Sequence, residues 1–399
     1  MRANWKQFAL LVAVNAFVGA MVGLERAILP ILGEVEFGVA SRAALLAFIA
    51  SFGASKAAAN LLSGALADRV GRRRLLIAGW LIGLPVPVMI IFAPSWEWVV
   101  AANVLLGVNQ ALCWSMTVIM KVDLVGPLRR GLALGINEFA GYLAVGLSAF
   151  AGSQLAGATA LRPQPFIAGV IVALAGLGLS LLSKDTAAHV RAESTGHAPS
   201  RRPPLREVFA LTTWRDRALS TAAQAGLINN LNDGVAWGLL PILFVASGRD
   251  LQQVGVLAGV YPAVWGIAQL GTGALSDVIG RRWLIVGGMF LQAAALAVIA
   301  TAPEFGLALV AMSVLGLGTA MVYPTLLAVI SDVAQPQWRA TATGVYRFWR
   351  DAGYVFGALI GGVVADRLGI SWAIGVVAAL TFGSALITLT RLPETRTTA

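Results

Sequence analysis

Apolar stretches near the ~20 residues that a helix needs to cross the ~30 Å hydrocarbon core of a bilayer recur along the whole chain. Twelve are predicted, over residues 8–32, 42–66, 75–94, 97–121, 131–155, 165–183, 218–246, 252–273, 284–302, 305–330, 341–365 and 371–389. The mean hydropathy is +0.79 and only 12% of the 399 residues are charged, which leaves too little polar surface for a soluble protein. The sequence therefore predicts an all-α polytopic membrane protein with twelve transmembrane helices.

The positive charge of the chain is unevenly distributed between its loops. Most of the 29 Lys and Arg lie in the termini, the central linker and the loops on one side of the predicted membrane. The opposite loops hold Arg42, Arg162, Arg249 and Arg367. Because basic loops stay in the cytoplasm, both termini and the linker are predicted there, in a cell membrane of the bacterial inner-membrane type. The net charge of +10 then reflects topology, and no nucleic-acid partner is expected.

One long polar segment divides the predicted spans into two sets of six. It covers residues 184–217 and separates a bundle at 1–183 from a bundle at 218–399. Its apolar residues at 205, 208 and 209 have helical spacing, so that 204–213 forms either a short helix on the membrane surface or a flexible loop.

The two sets of spans are repeats of each other. The segment "GALADRVGRRRLL" at 64–76 returns as "GALSDVIGRRWLI" at 273–285. The same offset relates Asp123 to Asp332 and Gly107 to Gly316. Because the offset spans an even number of helices, the repeats are parallel, and a shared site is expected between the halves. An ordinary inside loop would need basic residues but no Asp at a fixed spacing in both copies, so the Asp indicates a contact.

The repeated motif resembles the signature of the major facilitator superfamily between its second and third helices. The resemblance implies twelve helices around a central cavity, lined mainly by helices 1, 4, 7 and 10 with help from 5, 8 and 11. It also implies that Asp68, Arg72 and Asp123 form a charge cluster that braces the two halves on the cytoplasmic side when the protein faces outward. The predicted gating residues are Gly64, Asp68, Arg69, Gly71, Arg72, Arg73, Asp123, Asp277 and Arg281.

The chain departs from the superfamily pattern at three places. Val278 stands where the first motif has Arg69, and Asn103 stands where many drug–proton antiporters have an Arg. The fifth span, "GYLAVGLSAFAG", lacks the Pro of the antiporter Gly-Pro motif. Multidrug export is therefore not implied.

Eight ionisable side chains lie inside predicted spans, four acidic and four basic. They are Glu25, Glu138, Asp233 and Asp351, with Arg26, Lys56, Arg347 and Arg350. Charges at this depth need protein or water around them and a partner, so they indicate either a functional site or structural ion pairs. A carboxylate can become neutral near physiological pH, whereas Arg cannot. Asp233 is the first candidate for carrying a proton, followed by Glu138 and Glu25.

Polar and aromatic side chains recur at helical spacing on the faces of several spans. Such stripes indicate a cavity lining, although aromatic stripes are also typical of packing. The candidate substrate-binding residues are Asn15, Arg26, Lys56, Gln110, Trp114, Asn229, Asn230, Trp237, Trp265, Tyr323, Arg347, Arg350 and Asp351.

Enzyme chemistry is not expected. Both histidines, His189 and His197, lie in the linker, the single Cys113 lies in an apolar span, and the chain has no P-loop. We expect no cofactor or metal, and a monomer that binds a small solute, protons and membrane lipid. The predicted function is proton-coupled transport of a small organic or amphiphilic solute, with export favoured. The alternatives are an uptake symporter for an organic anion and a solute sensor that does not transport.

Overall fold

The computed structural model describes residues 4–125, 130–186, 203–302, 304–335 and 337–395, with the backbone alone at 64, 65, 68 and 130–132. Its long helices are α1 (Trp5–Arg26, continued by Leu29–Val35), α2 (Ala47–Val70), α3 (Arg72–Gly83, continued by Pro85–Ile91), α4 (Trp96–Val125), α5 (Arg130–Ala158), α6 (Gln164–Leu181), α7 (Arg217–Gly238, continued by Leu240–Ala246), α8 (Leu251–Ile279), α9 (Arg281–Ala300), α10 (Phe305–Val333), α11 (Arg339–Leu368) and α12 (Ile370–Arg391). The twelve-helix all-α prediction is confirmed.

Nine of the described helices are long and apolar enough to cross a membrane by length and composition. The other three long helices are α2, α7 and α11, which carry most of the charged and amide side chains discussed below. A helix can cross a membrane with such residues when they face protein instead of lipid. The low hydropathy of these three helices therefore indicates that their polar faces lie inside the bundle.

Several helices run past the predicted spans. Hydropathy predicts that the eighth span ends at residue 273, whereas α8 continues to Ile279. Gly280 ends it with a positive φ of 97°, as Gly71 ends α2 with a φ of 95°. These ends are fixed by backbone conformations that favour Gly, and hydropathy carries no signal of them.

The second part of the linker is helical between residues 205 and 215. Leu205–Ala210 forms an α-helical turn, followed by a π-helical turn at Leu211–Arg215. Asp216 then caps α7, accepting a hydrogen bond from the Leu219 amide at 2.8 Å. Of the two interpretations of 204–213, the helical one is correct.

The two halves meet along α2 with α11 and along α5 with α8. We call the end of the bundle that carries the linker the linker end, and the opposite end the distal end. At the distal end Asp366 of α11 accepts hydrogen bonds from Ser41 Oγ at 2.7 Å and from the backbone amides of Arg42 at 2.5 Å and Ala43 at 3.1 Å. These bonds join the second half to the start of the short helix Arg42–Leu45, which precedes α2.

The halves separate toward the linker end. Gly259, Gly266 and Gly273 lie on one face of α8 at seven-residue spacing. A Cβ on Gly259 would lie 2.8 Å from the carbonyl oxygen of Gly146 in α5, and one on Gly266 would lie 2.8 Å from the Leu143 amide. At Gly273 the same atom would meet nothing within 4 Å among the described residues. The boundary between the halves is therefore closed at the distal end, and the close α5–α8 packing ends before Gly273 among the described residues.

Asp366 is expected to stabilise this closure in a pH-dependent way. Partial burial alone would raise the pKa of Asp366, but the hydrogen bonds from Ser41 and the two amides outweigh it and hold the pKa below its ordinary value. A depressed pKa means that the stabilisation is complete above the ordinary value of about 4 and is lost as the pH falls through the folded-state value.

Asp366→Asn is therefore expected to shift the bundle toward a distal-open state at neutral pH. The measurement is the distance between spin labels at Ala40 and Leu368 in a Cys113→Ala background. Glu304→Gln, another distal-end acid, is the matched control and should leave the distances unchanged. Equal distance distributions for Asp366→Asn and the parent would show that this contact does not hold the distal end shut.

Candidate functional site

A cavity lies between the two halves near the middle of the helices. It encloses about 280 Å³ of empty space, including the part open to solvent. Its lining residues are Lys56, Asn60, Gln110, Trp114, Ser115, Tyr142, Tyr323, Arg347 and Arg350. Six of these positions were predicted as substrate-binding. The lining therefore carries three cationic side chains and no acidic one.

Asp351 lies directly behind this lining and is fully buried. Its Oδ2 accepts a hydrogen bond from Asn60 Nδ2 at 2.6 Å, and its Oδ1 lies 3.5 Å from Arg350 Nη1 and 3.8 Å from Lys56 Nζ. Lys56 and Asn60 belong to α2 and Asp351 to α11, so one carboxylate connects cations and amides of both halves. This is a buried ion-pair network at the inter-half boundary.

Arg350 connects the network to a group of aromatic rings. Its Nη2 donates to the Tyr142 hydroxyl at 2.9 Å, and its guanidinium lies 4.0 Å from the centroid of the Tyr323 ring. Tyr142 of α5 is stacked on Trp265 of α8, with the ring centroids 3.5 Å apart. Arg350 is thus held on an aromatic wall contributed by both halves.

Arg347 lies one turn before Arg350 and contacts the other half separately. Its Nη1 donates to Ser115 Oγ of α4 at 3.1 Å, and Ser115 Oγ donates in turn to Asn60 Oδ1 at 2.9 Å. Arg347 is therefore connected to Asp351 through Ser115 and Asn60.

Arg26 lies in a second site, which is buried between α1, α2 and α7. Its guanidinium carbon is 4.3 Å from the Phe52 ring centroid and 4.9 Å from the Trp237 ring centroid. The side chain is 2% exposed, and none of its guanidinium nitrogens makes a hydrogen bond within the described part of the chain. Cation–π contacts thus replace hydrogen bonds around this buried charge.

Asp233 is buried in α7, on the second-half side of the boundary. Its Oδ1 accepts a short hydrogen bond from the Tyr261 hydroxyl, while Oδ2 has no hydrogen-bond partner among the described residues. The neighbouring asparagines contact other residues. Asn230 Nδ2 lies 3.5 Å from Asp351 Oδ1, and Asn232 Nδ2 donates to Gln292 Oε1 at 2.7 Å. The hydrogen bond to Asp233 thus comes from Tyr261 of α8.

The other two candidate acids have different surroundings. Glu138 Oε1 accepts hydrogen bonds from Trp114 Nε1 and from Asn137 Nδ2, both at 2.9 Å. Glu25 is 3% exposed and lies beside Arg26 at the end of the first segment of α1. Glu138 is therefore one contact away from the cavity, through Trp114.

Three predicted binding residues hold helices together inside one half. Asn15 donates to the Asn137 carbonyl at 2.7 Å, and Asn229 accepts from Gln292 at 2.8 Å. Gln110 lines the cavity, but its amide nitrogen donates to the Val18 carbonyl at 2.9 Å. The structure thus places Asn15 and Asn229 in packing contacts away from the cavity lining.

The predicted gating residues occupy two equivalent loops at the linker end. Arg72 pairs with Asp123 at 2.7 Å in the first half, and Arg281 pairs with Asp277 at 2.5 Å and Asp332 at 3.2 Å in the second. Each of these three ion pairs, between described residues, lies within one half. The surroundings of Gly64 and the side chain of Asp68 lie outside the described residues, and Arg69 is exposed.

Each loop is capped by residues that the sequence analysis missed. Asp185, after α6, accepts from the Arg73 amide at 3.0 Å, and Glu394, after α12, accepts from the Arg281 amide at 2.9 Å. Thr186 donates to Asp123 at 2.6 Å, and Thr395 donates to Asp332 at 3.2 Å. Both pairs are related by the repeat offset that relates the motifs themselves. Comparing the two halves at this offset would therefore have predicted the capping residues.

Three cavity residues were also missed, namely Asn60, Ser115 and Tyr142. Asn60 lies four residues after Lys56, and Tyr142 lies four residues after Glu138. This is one helical turn from a residue that was selected, so the same spacing argument would have reached both. Ser115 directly follows Trp114, and no periodic signal distinguishes it.

The chain belongs to the Major Facilitator Superfamily. The family model of that description matches residues 8–230 and 222–399, which confirms the resemblance seen in the motif. The human organic anion transporter MFSD10 (TETRAN) has a similar fold, with a TM-score of 0.68 at 17% identity, covering 96% of this chain and 99% of that one. The protein is a multi-pass membrane protein of a transporter family.

Two relatives illustrate how far the sequence similarity extends. A probable 4-methylmuconolactone transporter of Cupriavidus pinatubonensis is 27% identical over 355 residues, which is 84% of this chain and 78% of that protein. The multidrug resistance protein MdtH of Aeromonas hydrophila is 35% identical over 135 residues, which is 32% of this chain and 34% of that protein. Both are named for the movement or exclusion of small molecules.

Proposed function

We propose that this protein is a proton-coupled secondary transporter that exports a small organic anion by alternating access. The observation that carries the proposal is the inter-half cavity, whose lining contains Lys56, Arg347 and Arg350 but no acid. Asp351 balances only part of this charge from behind the lining. A carboxylate on the solute would supply the missing negative charge.

The aromatic wall suggests the rest of the solute. Trp114, Tyr142 and Tyr323 line the cavity, and Trp265 is stacked behind Tyr142. Such surfaces favour a planar apolar body, since flat rings stack on flat rings. The name of the Cupriavidus relative, a methylmuconolactone transporter, agrees with a small cyclic organic solute.

Alternating access is supported by the unequal packing of the two ends. The distal end is held by the Asp366 contacts, while the face of α8 at Gly273 is open. If the linker is cytoplasmic, as the positive-inside pattern predicts, the cavity faces the cytoplasm in this conformation. Opening the distal end while closing the linker end would carry the solute across.

Asp233 is the proposed proton carrier. It is fully buried, and no cation forms an ion pair with it within the described part of the chain. Desolvation favours the neutral form of a carboxylate, so a proton taken up in one conformation can be released in the other. Glu138 and Glu25 are the next candidates.

Export is the proposed direction because relatives such as MdtH are named as multidrug resistance proteins. Uptake by symport is the competing direction for the same anionic site. The sign of the coupling distinguishes them, because an antiporter and a symporter respond oppositely to one pH gradient.

Arg350→Lys is expected to weaken binding of a planar carboxylate by about tenfold or more. Lysine keeps the charge but loses the planar fork that spans Tyr142 and the ring of Tyr323. Binding is measured by thermal shift with a panel of aromatic and cyclic carboxylates and their amides. Arg347→Lys is expected to reduce affinity similarly, and Arg74→Lys, at an exposed position in the first turn of α3, is the control. Undiminished affinity in both variants, or equal affinity for carboxylates and amides, would exclude recognition by these arginines.

A further inference from the structure

A second cavity lies outside the transport path, at the linker end of the second half. It encloses about 560 Å³ of empty space, including the part open to solvent, between α7, α12 and the π-helical turn of the linker. Its lining residues are Thr213, Trp214, Ser220, Thr221, Gln224, Ile387 and Arg391. The lining combines five polar side chains with the apolar surfaces of Trp214 and Ile387, and it carries a cation but no acid.

Exposed tryptophans place this cavity at the level of the lipid headgroups. Trp214 on its rim is 60% exposed, and at the same end of the bundle Trp5 is 59% and Trp283 is 58% exposed. Tryptophans with exposed rings concentrate at the boundary between hydrocarbon and headgroups. The cavity therefore opens where phosphate groups of the linker-side leaflet lie.

The cavity offers hydrogen-bond donors to an anion. Arg391, the last residue of α12, is exposed and supplies the cation of the lining. Thr213 Oγ1 accepts from Trp349 Nε1 at 3.0 Å, which leaves its own hydroxyl hydrogen available. Two acids on the adjoining segments are occupied, because Asp216 caps α7 and Glu394 accepts from the Arg281 amide. A phosphate here would meet donors without a competing carboxylate.

The cavity also offers an acceptor. Gln224 Nε2 donates to Ser384 Oγ at 2.6 Å, and its Oε1 is buried without a hydrogen-bond partner among the described residues. An orphaned carbonyl costs free energy unless a donor reaches it. A ligand with hydroxyl groups next to a phosphate would satisfy both Gln224 and Arg391.

A track of exposed apolar side chains leads away from the cavity along α12. Ile387 is 42% exposed, Leu386 is 43% and Phe382 is 49%. Since α12 runs from the distal end to the linker end, these residues extend from the cavity toward the middle of the membrane. An acyl chain attached to a bound headgroup would lie along them.

We propose that this cavity binds an anionic phospholipid with a hydroxylated headgroup, of the phosphatidylglycerol class. The phosphate contacts Arg391 and Thr213, a glycerol hydroxyl donates to Gln224, and the acyl chains cover the α12 track. The site ties the linker, α7 and α12 together at the membrane surface. It does not depend on which solute the central cavity carries.

The test compares lipids on the full chain purified in detergent. Phosphatidylglycerol is expected to raise the unfolding temperature by about 2–4 °C, and phosphatidylcholine by less than half as much. Arg391→Gln and Gln224→Leu should each raise the phosphatidylglycerol concentration that gives half of the maximal stabilisation by at least about fivefold. If one of these two variants fails to fold, the milder variant Thr213→Val is measured in its place. Arg206→Gln, an exposed linker Arg outside the cavity, is the matched control and should respond like the parent.

Three results would overturn the proposal. These are equal stabilisation by phosphatidylglycerol and phosphatidylcholine, an undiminished effect in the cavity variants, and equal loss in Arg206→Gln. Soluble glycerophosphoglycerol distinguishes a lipid site from a site for a free phosphodiester. Stabilisation by this headgroup as strong as that by the lipid would exclude the acyl-chain contacts and hence the lipid.

Discussion

Asp351→Asn is expected to abolish transport, with a loss of about 100-fold or more, and to lower the thermal stability of the protein. The substitution keeps the shape of the side chain but removes the one carboxylate that lies close to both Lys56 and Arg350. Breaking a buried ion pair by neutralising one partner costs about 3–5 kcal/mol, because the remaining charges stay buried without compensation. A cost of this size corresponds to at least a hundredfold in a rate or a binding constant.

The matched test of this network is a double variant. Lys56→Met combined with Asp351→Asn removes one cation together with the carboxylate and should recover part of the lost stability, since fewer buried charges remain unpaired. Glu97→Gln, a fully exposed acid at the distal end, is the control and should leave both stability and transport unchanged. Wild-type transport by Asp351→Asn, or purely additive losses in the double variant, would contradict the proposed network.

Asp233→Asn is expected to abolish accumulation driven by a pH gradient while preserving solute binding. Asn has the same size and can still accept the hydrogen bond from Tyr261, so the packing of α7 against α8 should survive. It cannot take up or release a proton, so solute movement should no longer respond to the gradient. Exchange of labelled for unlabelled solute in proteoliposomes should continue.

Tyr261→Phe is the control for this variant, because it removes the hydrogen bond and leaves the carboxylate. It should retain gradient-driven accumulation, with an altered pH optimum. Full uphill transport by Asp233→Asn would remove Asp233 from the mechanism, and Glu138→Gln would then be the variant to examine.

The sequence predicts the fold of this protein better than its site. Hydropathy and the repeated motif identify twelve helices, because bilayer thickness fixes the span length and a parallel repeat fixes the relation of the halves. The repeat offset also leads to Asp123 and Asp332, which lie in equivalent clusters. The same offset relates Asp185 to Glu394, but both lie in polar segments outside the predicted spans, where hydropathy carries no signal.

The site is harder to predict because spacing relates residues only within one helix. Asn15 and Asn60 are both amides in apolar helices, yet Asn15 packs against Asn137 and Asn60 faces the cavity. The rotation of each helix about its own axis decides between these roles, and one sequence does not reveal it. Asp233 illustrates the same limit, because consecutive residues of a helix point about 100° apart and its partner, Tyr261, comes from α8.

The measurement that tests the central proposal most directly is solute flux in proteoliposomes under a pH gradient, with the planar carboxylate that binds best in the thermal-shift panel. Protein-free liposomes correct for passive movement of the weak acid, and Asp233→Asn serves as the uncoupled control. Proton-coupled export predicts accumulation when the lumen is acidic, loss of accumulation with a protonophore, and none in Asp233→Asn. Accumulation only with an alkaline lumen would identify uptake symport, binding without flux would identify a sensor, and flux independent of the gradient would contradict proton coupling.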